Sequence, residues 1–251
     1  MQRTWRLIDS DLVPPAVSAA LDEALLESHI AGASPNTLHF YRRSVPTVSV
    51  GYFQKVSETL DLDECRKRGV SIVRRMSGGS SIYTDQGQLI YGLVVRESDI
   101  PGPREESFGR VCGAIASAIG TFGLEAVHRP VNDVEVDGKK VSGSAQLRRK
   151  GSVLQHGTVI VDTDLEAMDA LLRPARSGKA TGKRPSERVA TLSGLKGQSV
   201  DIGSVKDKVA EELARTFEVG FGKGELTQNE LETIARLVSE RYGKREWNMR
   251  S

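Results

Sequence analysis

The sequence predicts an α+β fold, with a mixed and mostly antiparallel sheet flanked by helices. Strand-like and helix-like segments follow one another as strand, helix, strands, helix, strands, without the regular βαβ alternation that builds parallel sheets. Three β-like runs also succeed one another between residues 126 and 162, divided by the turns "VDGKK" and "RRKGS", which have hairpin chemistry.

Taken in order, "MQRTWRLIDS" is a first strand and lacks the apolar run of a signal peptide. "AVSAALDEALLESHIAG" follows as a helix. It places Val17, Ala20, Leu21, Ala24, Leu25 and Ser28 on one face, and Gly32 ends it. "NTLHFYRR" and "PTVSVGYFQ" are β-rich runs split by Pro46 and expected to be neighbouring strands. "LDLDECRKRG" is a short helix stopped by Gly69, and "VSIVRR" is a strand running into "MSGGSS". "SIYTDQGQLIYGLVV" is a two-part strand interrupted around Gly87, and "REESFGRVCGAIASAIGTFG" a helix with small residues on its packing side.

The three β-like runs are "AVHRPVNDVEV", "KKVSGSAQLRR" and "SVLQHGTVIVD". Residues 173–203 are rich in Gly, Ser, Lys and Arg with little periodicity, and read as a loop. Two helices close the chain, "SVKDKVAEELARTFE" and "TQNELETIARLVSERYG". Each opens on a capping-type Ser or Thr, and Glu230 three residues after Thr227 gives a capping-box pattern. The expectation is one domain over 1–251, with a core at 1–172 and a loop and helical part at 173–251.

Composition narrows the function classes. The chain has 251 residues, 38% hydrophobic and 27% charged, as in an ordinary globular protein. The 35 basic and 33 acidic side chains nearly cancel, so the total offers no support for a nucleic-acid binder. Two cysteines, Cys65 and Cys112, are too few for a disulfide scaffold and suggest a reducing compartment. No run reaches the roughly 20 apolar residues of a membrane span. A cytoplasmic protein without nucleic-acid or membrane partners is expected.

Three stretches can carry chemistry. In "RRMSGGSSIYTD" (74–85) a strand ends in two arginines and a glycine turn, which can aim several backbone N–H groups at an anion beside a guanidinium. A plain Gly-rich turn with solvated arginines would read the same. Neither a P-loop nor a dinucleotide fingerprint is present. In "NDVEVDGKKVSGSAQ" (132–146) Lys139 and Lys140 follow an Asp-Gly turn, and strand alternation lets only one of them point inward. An inward ammonium needs an anion. Asn132 and Asp133 lie close by, and a carboxylate near phosphates suits Mg2+. A surface hairpin with two solvated lysines is the competing reading. In "LQHGT" (154–158), His156 fits an inner strand, where a histidine is more often a hydrogen-bonded core residue than an acid, base or ligand. Neither cysteine has a partner at metal-ligand spacing.

Together, and in this order, "RRMSGGSSIYTDQGQ", "NDVEVDGKKVSGSAQ" and "LQHGTVIVD" resemble the lipoate–protein ligase A family, of the biotin/lipoate ligase and octanoyltransferase superfamily. "SERVATL" (186–192) resembles that family's Arg-Val-x-x-Leu segment, and "YGKREWN" the end of its catalytic module. The resemblance implies a biotin/lipoate ligase-like catalytic domain acting as an ATP-dependent ligase. Lipoate (or octanoate) and Mg·ATP give an acyl-adenylate, and the acyl group passes to a lysine of a lipoyl-domain protein. It implies Lys140 as the essential lysine. Arg75 and the loop Ser77, Gly78, Gly79, Ser80, Ser81, Ile82 and Tyr83 would wrap lipoyl and AMP. Asn132 and Ser144 would touch the adenylate, His156 would stand among the binding residues, and Asp133 would hold Mg2+.

Ser80, Ser81, Thr84 and Gln88 depart from the family's usual Gly, Ala, His and Asn, which bears on substrate choice. Long-form ligases carry a further C-terminal domain, so this chain resembles the catalytic half of a split ligase served by a separate small accessory protein. The rivals are an octanoyl or lipoyl transferase of the same fold and a non-catalytic acyl-adenylate-binding protein. The transferase most like this chain would place a nucleophilic Cys shortly before "NDVEV", where "AVHRPV" has none.

Overall fold

The computed structural model describes residues 3–173 and 184–250. The strands are β1 (Arg3–Val13), β2 (Thr37–Arg43), β3 (Thr47–Val50), β4 (Ser71–Arg74), β5 (Ile82–Thr84), β6 (Gln88–Arg96), β7 (Ala126–Arg129), β8 (Asp133–Val136), β9 (Lys139–Arg149), β10 (Ser152–Ile160) and β11 (Val219–Lys223). The helices are α1 (Pro15–Ile30), α2 (Val56–Thr59), α3 (Leu62–Lys67), α4 (Arg104–Gly120), α5 (Leu165–Leu171), α6 (Pro185–Arg188), α7 (Leu192–Lys196), α8 (Ile202–Phe217), α9 (Gln228–Leu237) and α10 (Arg245–Asn248).

Eight strands form the main sheet in the order β11-β1-β2-β6-β10-β9-β8-β7. Only β11–β1 and β1–β2 are parallel, so the expected mixed, mostly antiparallel α+β architecture is what the chain adopts. One face packs on α4 and α8 through Leu38, Phe40, Tyr91, Ile115, Val159 and Leu213. The other packs on α1 and α9 through Leu21, Leu25, Ile90, Leu154 and Leu237. A small sheet, β4-β3-β5, flanks this second face. Among the described residues, no helix is long and apolar enough to cross a membrane.

Several expectations change. β2 and β3 are not neighbours. The chain turns at 44–46, and β3 pairs instead with β4 and β5 in the small sheet. The two parts of "SIYTDQGQLIYGLVV" likewise go to different sheets. "AVHRPVNDVEV" folds back on itself, Arg129 opposite Asp133, into β7 and β8. β11, hidden by its two glycines, extends β1. The predicted loop 173–203 contains α6 and α7, and its stretch 174–183 lies outside the described residues.

Helix ends follow side-chain chemistry. Asp201, not Ser204, caps α8, accepting from the Ser204 amide at 2.7 Å. The Thr227–Glu230 capping box forms, and the buried Glu230 carboxylate also takes Arg6 of β1 through two bonds of 2.6 and 3.0 Å. That contact locks α9 to β1, the second strand of the main sheet. Helix α1 was expected to bury one stripe, yet every residue from Ser18 to Leu26 is buried, because main sheet, small sheet and α9 surround it.

Candidate active site

The two arginines that end β4 have separate work. Arg74 is fully buried and donates to the carbonyls of Gly51 (3.0 Å), Tyr52 (3.2 Å), Gln54 (2.7 Å), Trp247 (3.2 Å) and Arg250 (2.5 Å). It ties the last residues of the chain to the loop after β3. Arg75 lines a cleft of about 670 Å³. Its guanidinium gathers the glycine turn, donating to the carbonyls of Ser49 (2.9 Å), Gly78 (2.8 Å) and Ser80 (2.7 Å). Burial, and then the neighbouring Arg43 charge, push its pKa down to about 10. Gly79 sits at φ 95°, where a side chain would strain the turn.

Ser77 does not line the cleft. Its hydroxyl is buried between Arg75 Nε (3.2 Å) and His156 Nε2 (2.7 Å), and His156 Nδ1 meets Asp22 Oδ2 at 2.6 Å. A hydrogen-bonded chain therefore runs Asp22–His156–Ser77–Arg75, from α1 through β10 into the turn. It fixes the imidazole at the cleft wall and holds the turn against the sheet. Gly78 does not line the cleft either, and lies beside Phe53, which is 85% exposed. Gly79, Ser80, Ser81, Ile82 and Tyr83 line the cleft. The departures from the family pattern are satisfied locally. The Ser81 amide and hydroxyl both reach Gln54 Oε1 (2.7 and 2.9 Å), Thr84 donates to the Thr47 carbonyl (3.2 Å), and Gln88 donates to the Tyr83 carbonyl (2.9 Å).

The lysine hairpin resolves in favour of Lys140. Lys139 is exposed, whereas Lys140 lines the cleft with its Nζ 2.6 Å from Asp133 Oδ1. Simple alternation does not place it there. Asp133 pairs with Gly143 and Val134 with Ser142, but Glu135 pairs with Lys140, so Val141 is an extra residue in β9. Val141 joins the core beneath α4, and Ser144 on the same side lies 3.5 Å from Cys112 of α4. Without this bulge residue 140 would share that face. The bulge re-aims it into the cleft. Gly143 makes the room, since a Cβ there would stand 2.2 Å from both Cε and Nζ of Lys140.

Asn132 and Ser144 lie beside this end and are bonded to each other. The Asn132 amide donates to the Ser144 carbonyl, and the Ser144 amide and hydroxyl donate to the Asn132 carbonyl at 2.9 and 3.2 Å. The Ser144 hydroxyl is thus turned toward Asn132 and α4. The "SERVATL" segment closes over the hairpin, with the Ala190 amide on the Lys140 carbonyl at 2.9 Å.

Among the described residues no cluster of three or more His, Cys, Asp or Glu is placed to hold a metal ion. Asp133, with Glu135 and Glu187 lining the same end, does offer the one or two carboxylates that Mg2+ uses beside phosphate oxygens. Neither cysteine lines the cleft. Both are buried, and burial pushes the Cys112 thiol up to about 11.

Asp22, Tyr41, Arg43, Glu135 and Glu187 are among the residues of the cleft wall that escaped sequence reading. Asp22 was hidden inside an apolar helical run, and a carboxylate in such a run was the available signal.

Comparison with known proteins gives consistent matches. The sequence family described as lipoyl protein ligase A/B catalytic domain matches residues 14–214. Octanoyltransferase LipM of Symbiobacterium thermophilum is 32% identical, covering all of both chains. Octanoyltransferase LipM of Anoxybacillus flavithermus is 33% identical over 99% of each. Among solved structures, an archaeal bi-partite lipoate protein ligase from Thermoplasma acidophilum, described with its E2 lipoyl domain, superposes with a TM-score of 0.87. It is 30% identical over 98% of this chain and 96% of that one. A lipoate-protein ligase A bound with ATP gives a TM-score of 0.85 at 28% identity over 99% of each chain.

Proposed function

The chain belongs to the lipoyl protein ligase A/B catalytic domain family, and from that premise we propose that it places a lipoyl or octanoyl group on a lysine amine of a lipoyl-domain protein, by way of an acyl-adenylate. The observation that carries this reading is the Lys140 ammonium, delivered by the β9 bulge into a cleft shared with the Arg75-held turn.

In the first step, a carboxylate oxygen of the fatty-type acid attacks the α-phosphorus of ATP and pyrophosphate leaves. Both reactants are anions, so the step needs fixed positive charge between them, and Lys140 is placed to supply it. Asp133 keeps the ammonium in position before substrate arrives. Asp133, with Glu135 or Glu187, would hold Mg2+, which supplies neutralisation of the triphosphate. In the second step the acceptor amine attacks the acyl carbonyl, the amide forms and AMP leaves. The turn at 77–81 and the segment 186–192 cover the cleft's two ends and would keep water from the anhydride.

The full-length likeness to octanoyltransferases favours a second reading, transfer from a thioester donor without ATP. The chain's own thiols give it little footing, since both are buried and neither lines the cleft, Cys112 standing behind Ser144. The bi-partite ligase among the structural relatives supports a separate accessory protein for the adenylation step.

Mass spectrometry of a lipoyl domain incubated with the chain tests these together. One arm contains ATP, Mg2+ and lipoate or octanoate, with and without a candidate accessory protein. The other contains an octanoyl thioester of an acyl-carrier protein and no ATP. Acylation confined to the ATP arm is expected. Acylation from the thioester alone would overturn the adenylate route, and adenylate formation unaffected by any accessory protein would remove the split-ligase reading.

A further inference from the structure

The loop after β3 holds one large apolar side chain out in solvent on a backbone that is fixed on both sides of it. Phe53 is 85% exposed, and the next most exposed large apolar side chain among the described residues, Val127, is 59%. Scattered exposed hydrophobics are ordinary, but this one stands on a pinned loop. Arg74 Nη1 takes the carbonyls of Gly51, Tyr52 and Gln54 at 3.0, 3.2 and 2.7 Å. The Tyr52 amide donates to the Ser77 carbonyl at 2.9 Å, and the Gln54 amide to the Gly51 carbonyl at 3.0 Å. The Tyr52 ring meets the Phe53 ring edge-on at 4.8 Å. The Arg250 guanidinium in turn lies over the rings of Tyr52 (4.1 Å) and Trp247 (4.2 Å).

A fixed aromatic ring loses little entropy when a partner covers it, and aromatic and arginine side chains dominate the energetics of protein interfaces. The patch also adjoins the cleft. A Cβ on Gly78 would stand 3.8 Å from the Phe53 ring, and the next residues of that turn, Gly79 to Ser81, line the cleft. Gln54, next to Phe53 in the chain, takes the Ser81 amide and hydroxyl. The charge here is positive. Lys244 and Arg245 are exposed at the start of α10 and Arg250 lies in the stack, against Glu246, while Lys55 is paired with Glu58 at 3.4 Å. A complementary surface therefore carries carboxylates around an apolar hollow. The acceptor of the acyl group must bring a lysine amine to a carbonyl inside the cleft, so its body has to rest beside the cleft. An accessory protein is under no such constraint. We propose that Phe53, with Tyr52, Trp247 and Arg250, is the docking anchor of the acceptor lipoyl domain, received by an apolar hollow rimmed with carboxylates on that domain. This rests on the acyl-transfer reading above and names how its macromolecular substrate is held.

Steady-state transfer from preformed lipoyl-adenylate tests this, because neither ATP nor an accessory protein is then needed. One acceptor is an isolated E2 lipoyl domain, and the other is hydroxylamine, which is too small to dock. Phe53→Ala should raise KM for the domain by about tenfold or more, with kcat and melting temperature unchanged, and Phe53→Tyr should restore most of the loss. Lys244→Glu combined with Arg245→Glu should also raise that KM and flatten its dependence on salt. Rates with hydroxylamine should be the same in every variant. An unchanged KM in Phe53→Ala overturns the proposal, and so does an equal loss with hydroxylamine, which would place the effect in the turn. A defect confined to ATP-driven adenylation with an accessory protein present would assign the patch to that protein. Sedimentation as a dimer that Phe53→Ala dissociates would assign it to a second copy of the chain. If the unmodified protein transfers to neither acceptor, the acyl-transfer reading falls and the docking site with it.

Discussion

The two ends of the cleft are built on opposite electrostatic plans. At the hairpin end, Lys140 and Asp133 are each 32% exposed and paired with each other, with further carboxylates nearby. At the α1 end, Arg43 and Arg75 are buried, the Asp22 carboxylate lies near enough to act on Arg43, and Asp22, His156, Ser77 and Arg75 form a buried hydrogen-bonded chain. A half-exposed ion pair can part cheaply when a charged substrate arrives. A buried network cannot, because each broken bond leaves a desolvated group behind. The first end is therefore suited to chemistry and the second to holding shape and selecting.

Substitutions should separate the two ends by kind of effect. The largest is Lys140→Ala, expected to lower the acyl-transfer rate by roughly a hundredfold to a thousandfold with little change in melting temperature, the scale for losing one charge-stabilising donor. Lys139→Ala should be mild, and equal losses from both would break the assignment of faces. Next comes Gly143→Ala. Its methyl displaces the flexible Lys140 tip rather than backbone, so rate should fall by about tenfold to a hundredfold, again with the fold intact. Thermal denaturation alongside steady-state rates checks both.

Asp22→Asn should act oppositely. It weakens a buried bond to His156, costing about 1–3 kcal/mol of stability, visible as a lowered melting temperature. The smallest effect lies outside the cleft, at Glu230. Burial raises its pKa, but Arg6 and the Thr227 amide outweigh burial and bring it below the usual glutamate range. Its contribution is present above that ordinary range and lost as pH falls through the lowered value. Glu230→Gln should flatten the acid limb of the stability–pH curve, measured by denaturant midpoints from neutral pH downward.

Much of this was legible in the sequence. The turn chemistry of "VDGKK" announces the hairpin, and the capping pattern at Thr227 marks α9. The glycine turn, Lys140, Asp133 and His156 stand out in the sequence, and the fold brings them to one cleft. What stayed hidden needed three dimensions. Alternation correctly says that only one of two adjacent lysines turns inward, but the extra residue at Val141 decides which face that is, and a bulge leaves no local signal. Arg43 carries no local signal, since its burial depends on Pro15 and Ser18, 28 and 25 residues earlier in the chain. Ser77 reads as part of the exposed turn, yet the histidine that buries it comes from β10.

Arg74 joins segments that are far apart in sequence: residues 51–54, its own strand and residues 247–250 all converge on one guanidinium. None of these carbonyls can be released without leaving a charge stranded indoors, so the three segments should open and close as one cooperative unit. Amide exchange with deuterated solvent would register this as matched protection of the glycine turn and the final helical turn. A perturbation at the chain's last residues would thereby be felt at the mouth of the cleft.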